Sequence, residues 1–202
     1  MNTSAMYIAL TAVVAVAMMS GAGMASAGGT ETAIFAGGCF WCMQPPFKNT
    51  PGVVETKAGY TGGSVENPTY GEVTTQTTGH YEAVQVVFDP KVVSYEKLLD
   101  VFWHNIDPTD PGGQFADRGN SYETAIFYLN EAQKTKAEKS KADLAASGKF
   151  QRPIATKILP ARPFYPAEED HQDYGEKNPL HYKAYKYGSG RTPYLDKTWP
   201  EK

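Results

Sequence analysis

The chain is poor in sulfur. Its 202 residues hold two cysteines, Cys39 and Cys42, and six methionines. Five of those methionines fall within the first 24 positions, leaving Met43 for the rest of the chain. Histidine is also scarce: residues 80, 104, 171 and 181 stand singly. Two cysteines and scattered histidines do not supply a four-ligand structural zinc site. A c-type haem site needs histidine directly after the second cysteine, where this chain has Met43. No metal ligand set is therefore expected. The net charge is only −3, which argues neither for a nucleic-acid partner nor for an anionic membrane surface, and neither is expected. Internal repeats and low-complexity linkers are missing as well.

The first 27 residues contain no charged side chain. Tyr7 to Met19 is an apolar run too short to span a bilayer comfortably, and it is followed by small residues ending Ala25-Ser26-Ala27. This reads as a signal peptide cut after Ala27, although only the α-amino group supplies positive charge at its start. An uncleaved anchor is the alternative. No cysteine stands immediately after the cut, so no lipoprotein anchor is expected. The expectation is an exported, periplasmic or extracellular protein with no membrane insertion once cleaved. Residues 28–202 suffice for one monomeric domain with a real core.

Strands are expected at 30–36, 53–60, 81–88, 122–129 and 154–159. The third alternates cleanly, with Glu82, Val84, Val86 and Phe88 on one face. A carboxylate on that apolar face needs a partner or a task. Helices are expected at 95–105, capped by Ser94, and at 131–147, capped by Asn130 and stopped by Gly148. A single helical turn at 39–43 should kink or restart at Pro45-Pro46. A short acidic helix is expected over 167–174, and a coil with aromatic anchors beyond Glu176. The order suits an α+β two-layer sandwich: a ferredoxin-like βαββαβ core with an added helix, an added strand and a long C-terminal coil.

Cys39 follows Gly37-Gly38 at the expected start of a helix, where free N–H groups lower a thiol pKa. Cys42 lies one turn on. Helical i,i+3 Cβ atoms sit roughly 5–6 Å apart, and a disulfide needs roughly 3.8 Å. The pair can close only if the turn tightens, and such a bond is easily reduced. Redox chemistry therefore fits better than a structural staple, with Cys39 as nucleophile and Cys42 as resolving thiol. A thioredoxin-like disulfide exchanger and a binding module with a small disulfide remain open at this point.

Several motifs narrow the choice. Gly37-Gly38-Cys39-Phe40-Trp41-Cys42, Gly59-Tyr60-Thr61-Gly62-Gly63, Gly79-His80-Tyr81-Glu82-Ala83-Val84 and Gln114-Phe115-Ala116-Asp117-Arg118-Gly119 occur in that order. The run from Phe164 to Gln172 and the Asn178-Pro179 step follow them. Over about 32–190 the chain resembles the A-type peptide methionine sulfoxide reductases. The resemblance implies that Cys39 attacks the sulfoxide sulfur and that Glu82 protonates its oxygen. It implies that Tyr60 and Tyr122 hydrogen-bond that oxygen, that Asp117 supports the polar side, and that Phe40 and Trp41 form the methyl pocket. Cys42 would resolve the sulfenic acid, and thioredoxin or a similar dithiol would reduce the disulfide. The reaction so implied would repair oxidised protein with no bound cofactor, and its substrate would be the S epimer of methionine sulfoxide, free or in proteins. Many members carry a further cysteine near the C-terminus, and this chain has none after Cys42. Gln44 stands where many have Glu. His80 and His171 are expected to be structural.

Overall fold

Alternation in the third expected strand is the strongest fold signal, and it is realised. The computed structural model describes residues 29–200. The leader and its cleavage after Ala27 lie outside the described residues. In chain order the elements are β1 (Glu31–Gly37), α1 (Phe40–Lys48), β2 (Val53–Thr61), α2 (Tyr70–Thr74), β3 (Tyr81–Phe88) and α3 (Tyr95–Trp103). Then come β4 (Gly113–Gln114), β5 (Asp117–Arg118), a 3₁₀ turn at Asn120–Tyr122, β6 (Thr124–Tyr128), α4 (Glu131–Ala146), β7 (Lys157–Pro160) and β8 (Tyr165–Pro166). The chain ends in α5 (Tyr174–Lys177), α6 (Pro179–Gly188) and α7 (Arg191–Thr198).

The main sheet runs β7-β6-β1-β3-β2-β8. Its central four strands, β6-β1-β3-β2, are all antiparallel to their neighbours. This is the ferredoxin-like βαββαβ arrangement. The crossover through α4 adds β7 parallel to β6, and β8 extends the opposite edge beside β2. Val84, Val86 and Phe88 face the large core with Phe35, Phe47, Leu98, Leu99 and Phe102. Helices α1, α3 and α4 cover this side. On the other face, Ile34, Ala36, Ala83, Ala125 and Phe127 form a smaller cluster with Phe164 packed against it.

The expected caps hold. The Ser94 side chain accepts from the Lys97 N–H at 3.1 Å, and Asn130 accepts from Gln133 at 2.9 Å. Four expectations need correction. Pro45 and Pro46 stay inside an unbroken α1, which gives up two helical donors there. The residues read as polar loop include α2, closed by a capping box between Thr69 and Glu72. The acidic helix expected at 167–174 is instead a run of turns. There Gln172 spends its amide on Ala58 and Ala167, and Asp173 takes a left-handed φ of 52°, so α5 begins only at Tyr174. The C-terminal coil is three short helices, with Pro179 opening α6, where its missing N–H costs nothing. Among the described residues no helix is long and apolar enough to cross a membrane.

Candidate active site

Two adjacent strands place the first pair of polar groups. Tyr60 on β2 stands directly opposite Glu82 on β3, both on the helix-covered face. β1 lies on the other side of β3, with Phe35 opposite Val84. Its end at Gly37 therefore delivers Cys39 beside Glu82. Gly37 also pairs with Thr124 on β6, which brings the preceding Tyr122 to the same end of the sheet.

Gly38 makes the turn. Its φ is +78°, and an added Cβ would fall 2.5 Å from Cβ of Gln114 and 2.9 Å from Nη2 of Arg191. Only glycine gives this turn without displacing those neighbours.

Glu82 is 2 % exposed. Burial pushes its carboxyl up to about 8, with Asp117 and Cys42 adding to the rise. The Phe40 N–H, which donates to Oε2 at 3.0 Å, and Tyr122 oppose it. Glu82 is therefore mostly protonated at neutral pH, as a proton donor must be.

The thiols behave differently from the expectation. Both cysteines are free and buried. Cys39 is the N-cap of α1, but the first-turn Phe40 N–H points to Glu82 instead of to sulfur. Burial then pushes the Cys39 thiol well up, and hydrogen bonding with Cys42 and the Glu82 carboxylate raise it further. Cys42 is drawn down to about 7, first by its hydrogen bond with Cys39 and then by Arg191 and Lys186, against its own burial. The depressed thiol is thus the second cysteine. The Cys42 N–H donates to the Cys39 carbonyl at 3.0 Å, an i→i+3 bond, so the first turn is already of the tighter kind.

Aromatic side chains enclose the pair. Phe40 is buried, with its ring 5.9 Å from that of Tyr60 and 5.3 Å from His171. The half-buried Trp41 stacks on Tyr174 at 3.7 Å, 7° from parallel. Its indole N–H donates to Nδ1 of His171 at 3.1 Å. The Tyr60 hydroxyl donates to Oε2 of Glu168 at 2.8 Å, and the Tyr70 N–H donates to the other oxygen of the same carboxylate at 2.7 Å. Tyr122 stands beside both Glu82 and Tyr70 and draws the pKa of each down. Asp117, on the β4–β5 hairpin, accepts from the Tyr185 hydroxyl at 2.5 Å. Tyr185 also stands beside Cys39 and draws its thiol pKa down.

All eight expected site residues thus gather at one end of the sheet. His80 is structural, as read: it bridges the Val65 carbonyl at 2.7 Å and the Gly63 N–H at 3.2 Å. His171 carries more than was expected of it, since it fixes Trp41. Tyr70, Glu168, Tyr185, Lys186 and Arg191 were missed. Tyr70 had a readable signal in the T-x-x-E spacing of Thr69 and Glu72; Tyr182, Tyr185 and Lys186 share a helical i, i+3, i+4 spacing. No group of three metal-ligating side chains occurs among the described residues.

Residues 31–202 match the family model for peptide methionine sulfoxide reductase. A peptide methionine sulfoxide reductase MsrA of Bacillus licheniformis is 60% identical over 172 residues, 85% of this chain and 95% of its own length. The reduced form of Mxr1 from Saccharomyces cerevisiae superposes with a TM-score of 0.70 at 32% identity, over 74% of this chain and 86% of that one. Methionine sulfoxide reductase A of Corynebacterium diphtheriae gives 0.67 at 38% identity, over 76% and 77%. Sequence match, shared fold and the buried acid beside paired thiols agree, and the chain belongs to the A-type peptide methionine sulfoxide reductases, thiol-dependent enzymes that return the S-sulfoxide of methionine to methionine.

Proposed function

We propose that Cys39 is the nucleophile of this reaction and the neutral Glu82 its acid. The observation that carries this is the buried carboxyl held protonated next to the Cys39 thiol. Glu82 gives its proton to the sulfoxide oxygen while the Cys39 sulfur attacks the substrate sulfur. The step balances as sulfoxide plus thiol giving thioether plus Cys39 sulfenic acid. Glu82 as a carboxylate raises the Cys39 pKa, so a neutral Glu82 favours both partners at once. Phe40 and Trp41 hold the S-methyl group. Tyr122 donates to the oxygen. Tyr60 flanks it with its own proton committed to Glu168. Asp117, with Tyr185, fixes the polar wall.

Cys42 then displaces hydroxide from the Cys39 sulfenic acid to give a disulfide and water. A thioredoxin-like dithiol restores both thiols; the yeast relative Mxr1 is known in complex with Trx2. The enzyme works as an exported monomer after cleavage at Ala27, as one domain over 28–202, on free or protein-bound methionine sulfoxide.

A stereospecific assay tests these roles. Cys39→Ser yields no methionine even in a single turnover, and full activity in that variant ends the assignment. Cys42→Ser releases one methionine per enzyme and traps the sulfenic acid; normal recycling with thioredoxin removes Cys42 from its role. N-terminal sequencing of the exported protein checks the cleavage.

A further inference from the structure

Arg191 is 1 % exposed, among the largest fully buried side chains of the molecule. Its Nη2 donates to the Gly37 carbonyl at 2.9 Å and its Nη1 to the Asn105 carbonyl at 2.6 Å. Nη1 also lies 3.4 Å from the Met43 sulfur, and the guanidinium sits 4.7 Å from the centre of the Phe115 ring. These contacts take up three of its five N–H donors, and none of the partners carries a negative charge. Among the described residues no carboxylate forms an ion pair with Arg191. A buried cation without a counter-ion is costly and calls for an anion nearby. The guanidinium is bracketed by Gly37 and Met43, the residues on either side of the thiol turn. Lys186, one turn beyond Tyr182 on α6, is a second cation with no ion pair among the described residues.

We propose that Arg191, aided by Lys186, is a positioning charge that holds Cys42 as the attacking thiolate for the Cys39 sulfenic acid. The inference rests on the resolving role given to Cys42 above. The groups facing Cys42 are Cys39 on its own helix, Glu82 on β3, Asp117 on β5, Tyr182 and Lys186 on α6, and Arg191 on α7. Glu82 is neutral near pH 7, which leaves Asp117 as the opposing charge and the two cations as the favouring ones. Both cations lower the Cys42 pKa. In the step, the Cys42–Cys39 S–S bond forms and the Cys39 S–O bond breaks. The Cys39 sulfur is reduced, Cys42 is oxidised, and the departing hydroxide takes up the proton that Cys42 gave. No outside electron carrier is needed.

The test is rapid-quench kinetics with reduced enzyme, excess methionine sulfoxide and no dithiol. Cys39 sulfenic acid is trapped by dimedone and followed as it converts to disulfide between pH 6 and 9. The wild-type rate rises with pH as Cys42 ionises, with its midpoint below the ordinary thiol value of about 8.5. In Arg191→Met the midpoint rises by at least roughly one unit, so disulfide formation at pH 7 slows about tenfold. One methionine per enzyme is still released. Arg191→Lys restores most of the profile, and Lys186→Met moves it less than Arg191→Met. An unmoved midpoint in folded Arg191→Met overturns the proposal. If that variant does not fold, Cys42 is titrated by its iodoacetamide rate in Cys39→Ala, which removes the Cys39 hydrogen bond, with and without Arg191→Gln, whose amide keeps a donor where the guanidinium stood. A midpoint that rises when the Arg191 charge is removed supports the proposal, and one that does not move overturns it. Failure of the wild type to form any Cys39–Cys42 disulfide would instead strike the resolving role itself.

Discussion

The two halves of the site are held by different forces. The sheet half, Tyr60 and Glu82, sits on paired strands whose alternate residues build the main core. A slip of one residue would turn both side chains to the wrong face, so hydrophobic burial fixes them. The tail half, Tyr185, Lys186 and Arg191, rides on helices that bury almost nothing apolar: α5 and α6 have no fully buried residue, and Arg191 is the one in α7. The tail is instead docked by polar and aromatic contacts to the residues it serves. Tyr185 binds Asp117, Arg191 binds the Gly37 carbonyl, and Tyr174 stacks on Trp41. On the roles proposed above, the sheet half carries the proton transfer, and the tail half tunes the surrounding charge and shape.

Glu82→Gln tests the sheet half and has the largest expected effect. Loss of a positioned acid costs about a hundredfold to ten-thousandfold in kcat/KM. The wild-type rate should fall as pH rises through about 8, where Glu82 loses its proton, and that limb should vanish in the variant. Stability gives an independent reading. The folded carboxyl titrates above its unfolded value of about 4.3, so its contribution is complete below that value and lost as pH rises through about 8. Glu82→Gln keeps the group neutral, and its denaturation midpoint should decline less between pH 5 and 9 than that of the wild type. Identical declines would mean that Glu82 is not the buried acid described.

Tyr185→Phe tests the tail half. It removes the hydrogen bond to Asp117 and the hydroxyl beside Cys39 while keeping the ring beside Trp41. A hydrogen bond to a charged group contributes roughly 1.5–3 kcal/mol, which is about tenfold to a hundredfold in kcat/KM. The pH limb near 8 should survive, since Glu82 is untouched. A loss as large as that of Glu82→Gln, with the limb abolished, would erase the distinction between a chemical half and a tuning half.

The same division decides what was legible in the sequence. Alternation along β3 put Glu82 on the buried face because period-2 burial leaves a direct imprint on residue type. The pairing of Tyr60 with Glu82 left no such imprint, since register depends on contacts between distant segments. The tail was misread as coil because its helices lack a strong apolar face; Leu180 is 83 % exposed. Arg191 reads as a surface residue by type, and only tertiary contacts bury it. The depressed pKa was placed on Cys39 because a helix start favours an anion. The structure gives that helix end to Glu82 and the cations to Cys42, a choice made by folding and not by spacing.

Gly38→Ala probes the joint where the halves meet. A Cβ there would press against both Gln114 and Arg191, in a backbone conformation L-residues rarely adopt. The expected destabilisation is about 1–3 kcal/mol, visible as a lower denaturant midpoint with unchanged slope. Backbone strain alone would leave the tail in place. Displacement of Arg191 would also slow disulfide formation, so measuring both separates the two causes. An unchanged midpoint would mean that the joint is looser than its contacts indicate.

Thr69→Ala is the mildest test and asks whether a helix without much core of its own can still matter to the sheet half. The Thr69 hydroxyl accepts from the Glu72 N–H at 3.3 Å, and Oε2 of Glu72 accepts from the Thr69 N–H at 2.8 Å. Removing the hydroxyl leaves the second bond, so the loss should be about 1 kcal/mol. α2 is five residues long with Val73 as its one buried residue, and that cap is a large share of what holds it. Amide exchange at 70–74 should therefore quicken about fivefold while the β3 amides are unaffected. Tyr70 reaches Tyr122 from this helix, and its own N–H holds Glu168, the acceptor of the Tyr60 proton. A looser α2 should thus raise KM modestly with little change in kcat, because the acid and the nucleophile stand on other elements. A fall in kcat with KM unchanged would instead tie α2 to the proton transfer and move it from the supporting shell into the chemistry.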